Sequence, residues 1–104
     1  MAEFESVLRV DDLADNSTSV VNVHGSSVLI CRTADGFFAV ENRCPHQAQT
    51  LEGGRIRNGY ISCPLHGMRF RLATGEALGR LTNKPLKTFK TRVVDGEIQV
   101  CVGE

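Results

Sequence analysis

The chain reads as an all-β domain, an antiparallel sandwich or barrel of short strands. Three observations predict it. Asp35-Gly36, Asn58-Gly59 and Asp95-Gly96 each stand between runs rich in β-branched and aromatic residues, and such pairs are strong hairpin signals. The runs are short and turn signals recur throughout, as in sandwiches and barrels. The only helix candidate is a turn around Val10–Ala14.

The strands follow in order. Residues 18–23 (TSVVNV) and 27–33 (SVLICRT) are β-branched runs parted by His24-Gly25-Ser26. Residues 37–41 (FFAVE) follow Asp35-Gly36. Residues 55–57 (RIR) and 60–62 (YIS) flank Asn58-Gly59, and a two-residue loop there pairs Arg57 with Tyr60 and Arg55 with Ser62. Cys63 then falls opposite Gly54, where the hairpin ends. Residues 68–72 (MRFRL) alternate, and 86–94 and 97–102 flank Asp95-Gly96.

The 104 residues make one domain, with no linker, repeat or low-complexity segment to divide them. No 18-residue stretch is predominantly apolar, so no helical membrane span is predicted. The N-terminus starts acidic and has no basic region before an apolar run, which predicts no secretory leader and a cytoplasmic chain. Thiols stay reduced there, so four cysteines point to metal or catalysis before disulfides.

Formal charge is zero but unevenly spread. Residues 1–54 carry eight acids and three bases, whereas residues 55–92 carry nine bases against Glu76 alone. Solvated strand faces are one reading; a basic face that steers an acidic partner is the other. Nucleic acid is disfavoured, because the bases are dispersed and six aromatics make a poor stacking platform.

The chemistry concentrates in two short stretches, Cys44-Pro45-His46 and Cys63-Pro64-Leu65-His66-Gly67. Each supplies one thiolate and one imidazole from a loop that directly follows a strand. A proline after each cysteine stiffens its loop. Two sulfurs and two nitrogens suit tetrahedral zinc, or a [2Fe–2S] cluster with two histidines on one iron. Zinc fingers group cysteines with cysteines and histidines with histidines, whereas each loop here is mixed. Mixing suits two irons, because each loop can give sulfur to one and nitrogen to the other. A Cys–His nucleophile would leave the duplicated pairing unexplained.

On these residues the chain resembles the Rieske iron–sulfur proteins, whose signature is C-x-H-x₁₅₋₁₇-C-x-x-H; sixteen residues separate His46 from Cys63 here. Residues 83–100 also resemble the end of small Rieske ferredoxins, where a proline-containing loop, matched here by Pro85, covers the cluster. The resemblance implies two antiparallel sheets with a small loop-built cluster-binding subdomain, roughly residues 43–70. It implies one [2Fe–2S] cluster, with Cys44 and Cys63 on one iron and His46 and His66 on the other, near an exposed tip. Gln47, Ala48, Leu65, Gly67 and parts of 80–85 would surround that tip, and Arg80 and Lys84 would help it dock.

The chain departs from the respiratory Rieske pattern. Gln49 and Leu65 stand where that branch has a disulfide, and Met68 and Phe70 replace a Ser and a Tyr that donate hydrogen bonds. Lost donors destabilise the reduced state and lower the potential.

Ring-hydroxylating oxygenases of this family also hold a mononuclear iron on two histidines and a carboxylate. With His46 and His66 committed, only His24 remains, so that site cannot be built. No Gly-rich dinucleotide fingerprint follows a strand, so the chain takes no hydride from a nicotinamide. The resemblance therefore implies an electron carrier. It would pass single electrons from a flavin-containing ferredoxin reductase to a terminal oxygenase, often one attacking aromatic rings, with neither nucleic acid nor membrane as partner. The alternatives are the small Rieske subunit of an assimilatory nitrite reductase and a structural zinc-binding β-domain. His24 reads as a surface residue, Cys31 and Cys101 as buried thiols, and Phe70 as a shield close to His66.

Overall fold

The computed structural model describes residues 4–43, 50–64, 68–78 and 85–101. Among these residues ten strands run β1 (Glu5–Arg9), β2 (Thr18–Val23), β3 (Ser26–Thr33), β4 (Gly36–Glu41), β5 (Arg55–Arg57), β6 (Tyr60–Ser62), β7 (Arg69–Arg71), β8 (Ala77–Leu78), β9 (Thr88–Val94) and β10 (Glu97–Cys101). They form two antiparallel sheets. The larger has the order β1-β10-β9-β4-β3-β2 and the smaller β5-β6-β7-β8.

Strand β3 explains why the two sheets belong together. Its alternate residues Val28 and Ile30 join one apolar cluster with Leu13, Val23, Ala39, Ile98 and Val100. Its other residues, Leu29 and Cys31, join a second cluster with Val40, Leu51, Ile61, Phe70 and Leu72. A strand buried on both faces loses polar alternation, which is why residues 28–31 read as a continuous apolar run. The first cluster lies inside the curl of the larger sheet, and the second lies between the sheets.

The edge strands of the larger sheet approach one another. Glu5 in β1 carries an oxygen 3.3 Å from Nε2 of His24, just beyond β2. His24 is exposed, as expected of a surface residue. Strand β1 was not legible in the sequence because its register shifts between Ser6 and Leu8. That bulge lets the consecutive residues Val7 and Leu8 both pack on the first cluster, which breaks the period of two. Strand β8 has no signature in the sequence, because two residues carry no pattern.

Two of the expected turns form as two-residue loops with positive φ at both positions: Asn58 (53°) with Gly59 (82°), and Asp95 (52°) with Gly96 (76°). These angles match the twist of the flanking strands. Asp35-Gly36 differs. Gly36 pairs with Thr33, so the loop is Ala34-Asp35, and the Asp35 amide donates to Thr33 Oγ1 at 3.0 Å. At Val10–Ala14 only a 3-10 turn forms, over Val10–Asp12.

Cys31 is a free thiol, completely buried in the second cluster, so no Cys31–Cys101 bridge exists. Desolvation pushes its pKa up to about 12. In the unfolded chain it titrates near 8.5. The unfolded state therefore ionises first. Stability that is intact below the unfolded value is lost as pH rises towards the folded one, at about 1.4 kcal/mol per pH unit. Replacing Cys31 by Ala should flatten this alkaline loss. Comparing unfolding midpoints of the two proteins near neutrality and at about pH 10.5 checks it; parallel losses in both would refute it.

Candidate metal centre

The pairing of β5 with β6 matches Arg55 with Ser62, Ile56 with Ile61 and Arg57 with Tyr60. Cys63 thus follows the last paired residue and stands opposite Gly54. The contact is close: a Cβ on Gly54 would run into the Ser62 carbonyl and lie 2.9 Å from that of Leu51. Only glycine lets the segment leaving the first loop lie against the strand entering the second.

Cys63 is 1% exposed, and its sulfur forms neither a disulfide nor a hydrogen bond among the described residues. Its amide donates to the Met68 carbonyl at 2.7 Å. That bond closes the second loop at its foot. The other three ligand candidates, Cys44, His46 and His66, lie outside the described residues, as do Gln47, Ala48, Gln49, Leu65, Gly67, Arg80 and Lys84. Among the described residues, no three His, Cys, Asp or Glu side chains stand together in a metal-binding group.

The first loop is also closed at its foot, by a residue that sequence reasoning missed. Asn42 is buried two positions before Cys44. Its Oδ1 accepts from the amides of Leu51 and Glu52 at 3.0 and 3.1 Å, on the far side of the loop. Its Nδ2 donates to Ser27 Oγ at 3.3 Å, and its own amide donates to the Ser27 carbonyl at 3.1 Å. A buried amide with its hydrogen bonds satisfied holds one geometry. The available signal was a polar residue ending an apolar strand just ahead of a cysteine.

A third segment returns beside these two. The Leu86 amide donates to the Gly75 carbonyl at 2.7 Å, and the Glu41 amide to the Lys87 carbonyl at 2.9 Å. Pro85, expected to belong to a covering loop, is exposed immediately before buried Leu86.

The feet share one floor. Leu51, Cys63, Met68 and Leu86 pack in the same cluster with Phe70, Ile61, Leu72 and Leu29. Phe70, read in the sequence as a shield, is fully buried at the level of Ile61 and Ala77. Met68 and Phe70 give this floor no side-chain donor. A buried, unbridged sulfur at the foot of a closed loop fits a soft-metal ligand.

Substituting Asn42 by Ala should leave the Leu51 and Glu52 amides short of an acceptor. A destabilisation of about 1–3 kcal/mol follows, together with a lower iron content per chain. Thermal unfolding and iron analysis check both, and a variant with unchanged iron would show that the clamp does not position the loop.

The chain matches the Rieske [2Fe-2S] domain family over residues 3–90. It is 34% identical over 99 residues to the 3-phenylpropionate/cinnamic acid dioxygenase ferredoxin subunit of Photorhabdus laumondii, covering 94% of this chain and 93% of that one. It is 34% identical to the methanesulfonate monooxygenase ferredoxin subunit of Methylosulfonomonas methylovora, covering 89% of this chain and 76% of that one. Its fold superposes on the ferredoxin of carbazole 1,9a-dioxygenase from Nocardioides aromaticivorans with a TM-score of 0.87 and 28% identity, covering 93% and 95% of the two chains. The family's cofactor is a [2Fe–2S] cluster, and with it the zinc reading falls. The chain belongs to the Rieske [2Fe-2S] domain family and is a ferredoxin-type electron carrier within it.

Proposed function

We propose that this chain is the ferredoxin component of a multicomponent oxygenase system, taking single electrons from a flavin-containing reductase and passing them to a terminal oxygenase. Its place of action is the cytoplasm. The observation that carries the reading is the pair of mixed Cys/His stretches in a Rieske-family chain, with the buried Cys63 sulfur at a closed loop foot. Both curated relatives named above are oxygenase ferredoxins, which favours that role over the small subunit of a nitrite reductase.

Cys44 and Cys63 are assigned to one iron, and His46 and His66 to the other. The cluster-binding subdomain is assigned to about residues 43–70, inserted in the larger β framework. A [2Fe–2S] centre with this ligand set takes up and releases one electron at a time. The protein's own part is mechanical and electrostatic. Asn42 and the Cys63–Met68 bond hold the loop feet, and the floor of Leu51, Met68, Phe70 and Leu86 excludes water beneath them.

Electron paramagnetic resonance of the dithionite-reduced protein tests the ligand set. A rhombic signal, with average g below that of all-cysteine centres, is expected. His46→Ala and His66→Ala should each abolish it, and a variant with unaltered visible and resonance spectra would refute the assignment. Redox titration tests the consequence of the donor-free floor. The midpoint should fall near the low end of the Rieske range, about −150 mV; a clearly positive value at neutral pH would contradict it.

A further inference from the structure

The outer face of the small sheet carries arginines in a regular pattern. The inward row is Ile56, Ile61, Phe70 and Ala77, directly opposite one another across β5 to β8. The two outward rows are Arg55–Ser62–Arg69 and Arg57–Tyr60–Arg71. Four guanidinium groups therefore share one solvent-facing surface. Arg71 rests on Tyr60, donating to its hydroxyl at 3.0 Å with the guanidinium carbon 5.4 Å from the ring centre. None of the four forms an ion pair among the described residues. A groove of about 400 Å³ runs over this face, lined by Arg55, Arg57, Asn58, Tyr60, Ser62 and Arg69. A second hollow of about 260 Å³ shares Arg55 and Ser62 with it and reaches Cys63 and Pro64.

We propose that this arginine face is the docking surface for an acidic protein, the carboxylate-rich surface of a redox partner. The proposal rests on reading the chain as an electron carrier. Like charges on one sheet face repel, and a surface that brings carboxylates relieves the repulsion. Guanidinium groups suit that role, because their planar forks match carboxylates in pairs and they are weakly hydrated. Their spacing argues against a single small anion. The rows are about 7 Å apart along the strands, and the outer strands about 10 Å apart across the sheet. One phosphate cannot bridge four groups so placed, whereas several carboxylates on a protein surface can. Tyr60 is the only aromatic residue on the face, which gives a nucleic acid no stacking platform. A partner seated over Arg55 and Arg69 borders the foot of the second loop at Cys63. The acids of residues 1–54 and the bases of residues 55–92 also give the neutral chain a charge separation that orients its approach.

The test uses the cluster-loaded protein and, as probe, reduced flavodoxin, an acidic flavoprotein that gives up one electron as the chain gains one. The variant is Arg55→Gln, Arg57→Gln, Arg69→Gln and Arg71→Gln combined. Arg55→Gln with Arg69→Gln, which keeps the Arg71–Tyr60 contact, is the milder form. Arg9→Gln, Lys90→Gln and Arg92→Gln combined removes three positive charges from the larger sheet, away from the candidate centre. At low ionic strength the fourfold variant should lose about tenfold or more in stopped-flow rate and most of its salt dependence. The larger-sheet control should keep most of the rate. Equal losses in both, or no loss in either, would overturn the proposal. So would inhibition of the wild type at constant ionic strength by inorganic phosphate or a short DNA duplex that is stronger than inhibition by hexaglutamate at equal anionic charge.

A hexaglutamate peptide provides a second readout that involves no electron. It should shift amide resonances of β5 to β7 in the wild type and not in the fourfold variant; shifts elsewhere, or none, would overturn the surface assignment. Loss of the resonance signal of the reduced cluster would instead count against the electron-carrier reading.

Discussion

Strand β3 gives Val28 and Ile30 to one core and Leu29 and Cys31 to the other, and the rest of the molecule is arranged around that division. A strand with two apolar faces must be covered twice. The larger sheet covers one face by curling until its edges meet near Glu5 and His24. The small sheet covers the other, laying Ile61 and Phe70 against Leu29 and Cys31. The small sheet is thus held to the framework by burial of apolar surface, which is rigid because interiors pack at crystal-like density.

That same interface is the floor of the candidate centre. Leu51, Cys63, Met68 and Leu86 are at once core residues and the anchors of three returning segments. Cores and sites often compete, because polar groups in a core need partners. Here the conflict is settled locally. Asn42 is one of two buried polar residues among those described; its side-chain oxygen accepts from the loop foot at Leu51 and Glu52, and its nitrogen donates to Ser27 in β3. The loop feet are therefore held by the packing beneath them and by Asn42.

The electrostatics follow from the same geometry. With Ile56, Ile61 and Phe70 committed inward, the alternation of β5 to β7 sends Arg55, Arg57, Arg69 and Arg71 outward together. A basic segment in the sequence thereby becomes a basic surface. The bases of β9 went elsewhere: Lys90 and Arg92 lie on the larger sheet, where Arg92 bonds Gln99 at 2.6 Å and covers Phe4. The single basic stretch of the sequence thus divides between two surfaces.

Local chemistry made much of this protein legible without a structure. Asx-Gly turns and period-two runs marked eight of the ten described strands, and the register at Asn58-Gly59 followed from loop length alone. The mixed Cys/His stretches pointed to the iron–sulfur centre, because donor softness and spacing are properties of residues. What depended on partners distant in the chain was not legible. The bulge that lets Val7 and Leu8 both face inward hides β1, and the two residues of β8 form a strand only because β7 pairs with them. Asn42 looks like any polar residue until its oxygen is found between the amides of Leu51 and Glu52. Sequence by itself determined the turns and the strand runs, each set by neighbours along the chain, and its mixed Cys/His stretches pointed to the family's cofactor. Only the tertiary structure decided which feet share a floor and which arginines share a face, because both depend on contacts that chain order does not encode.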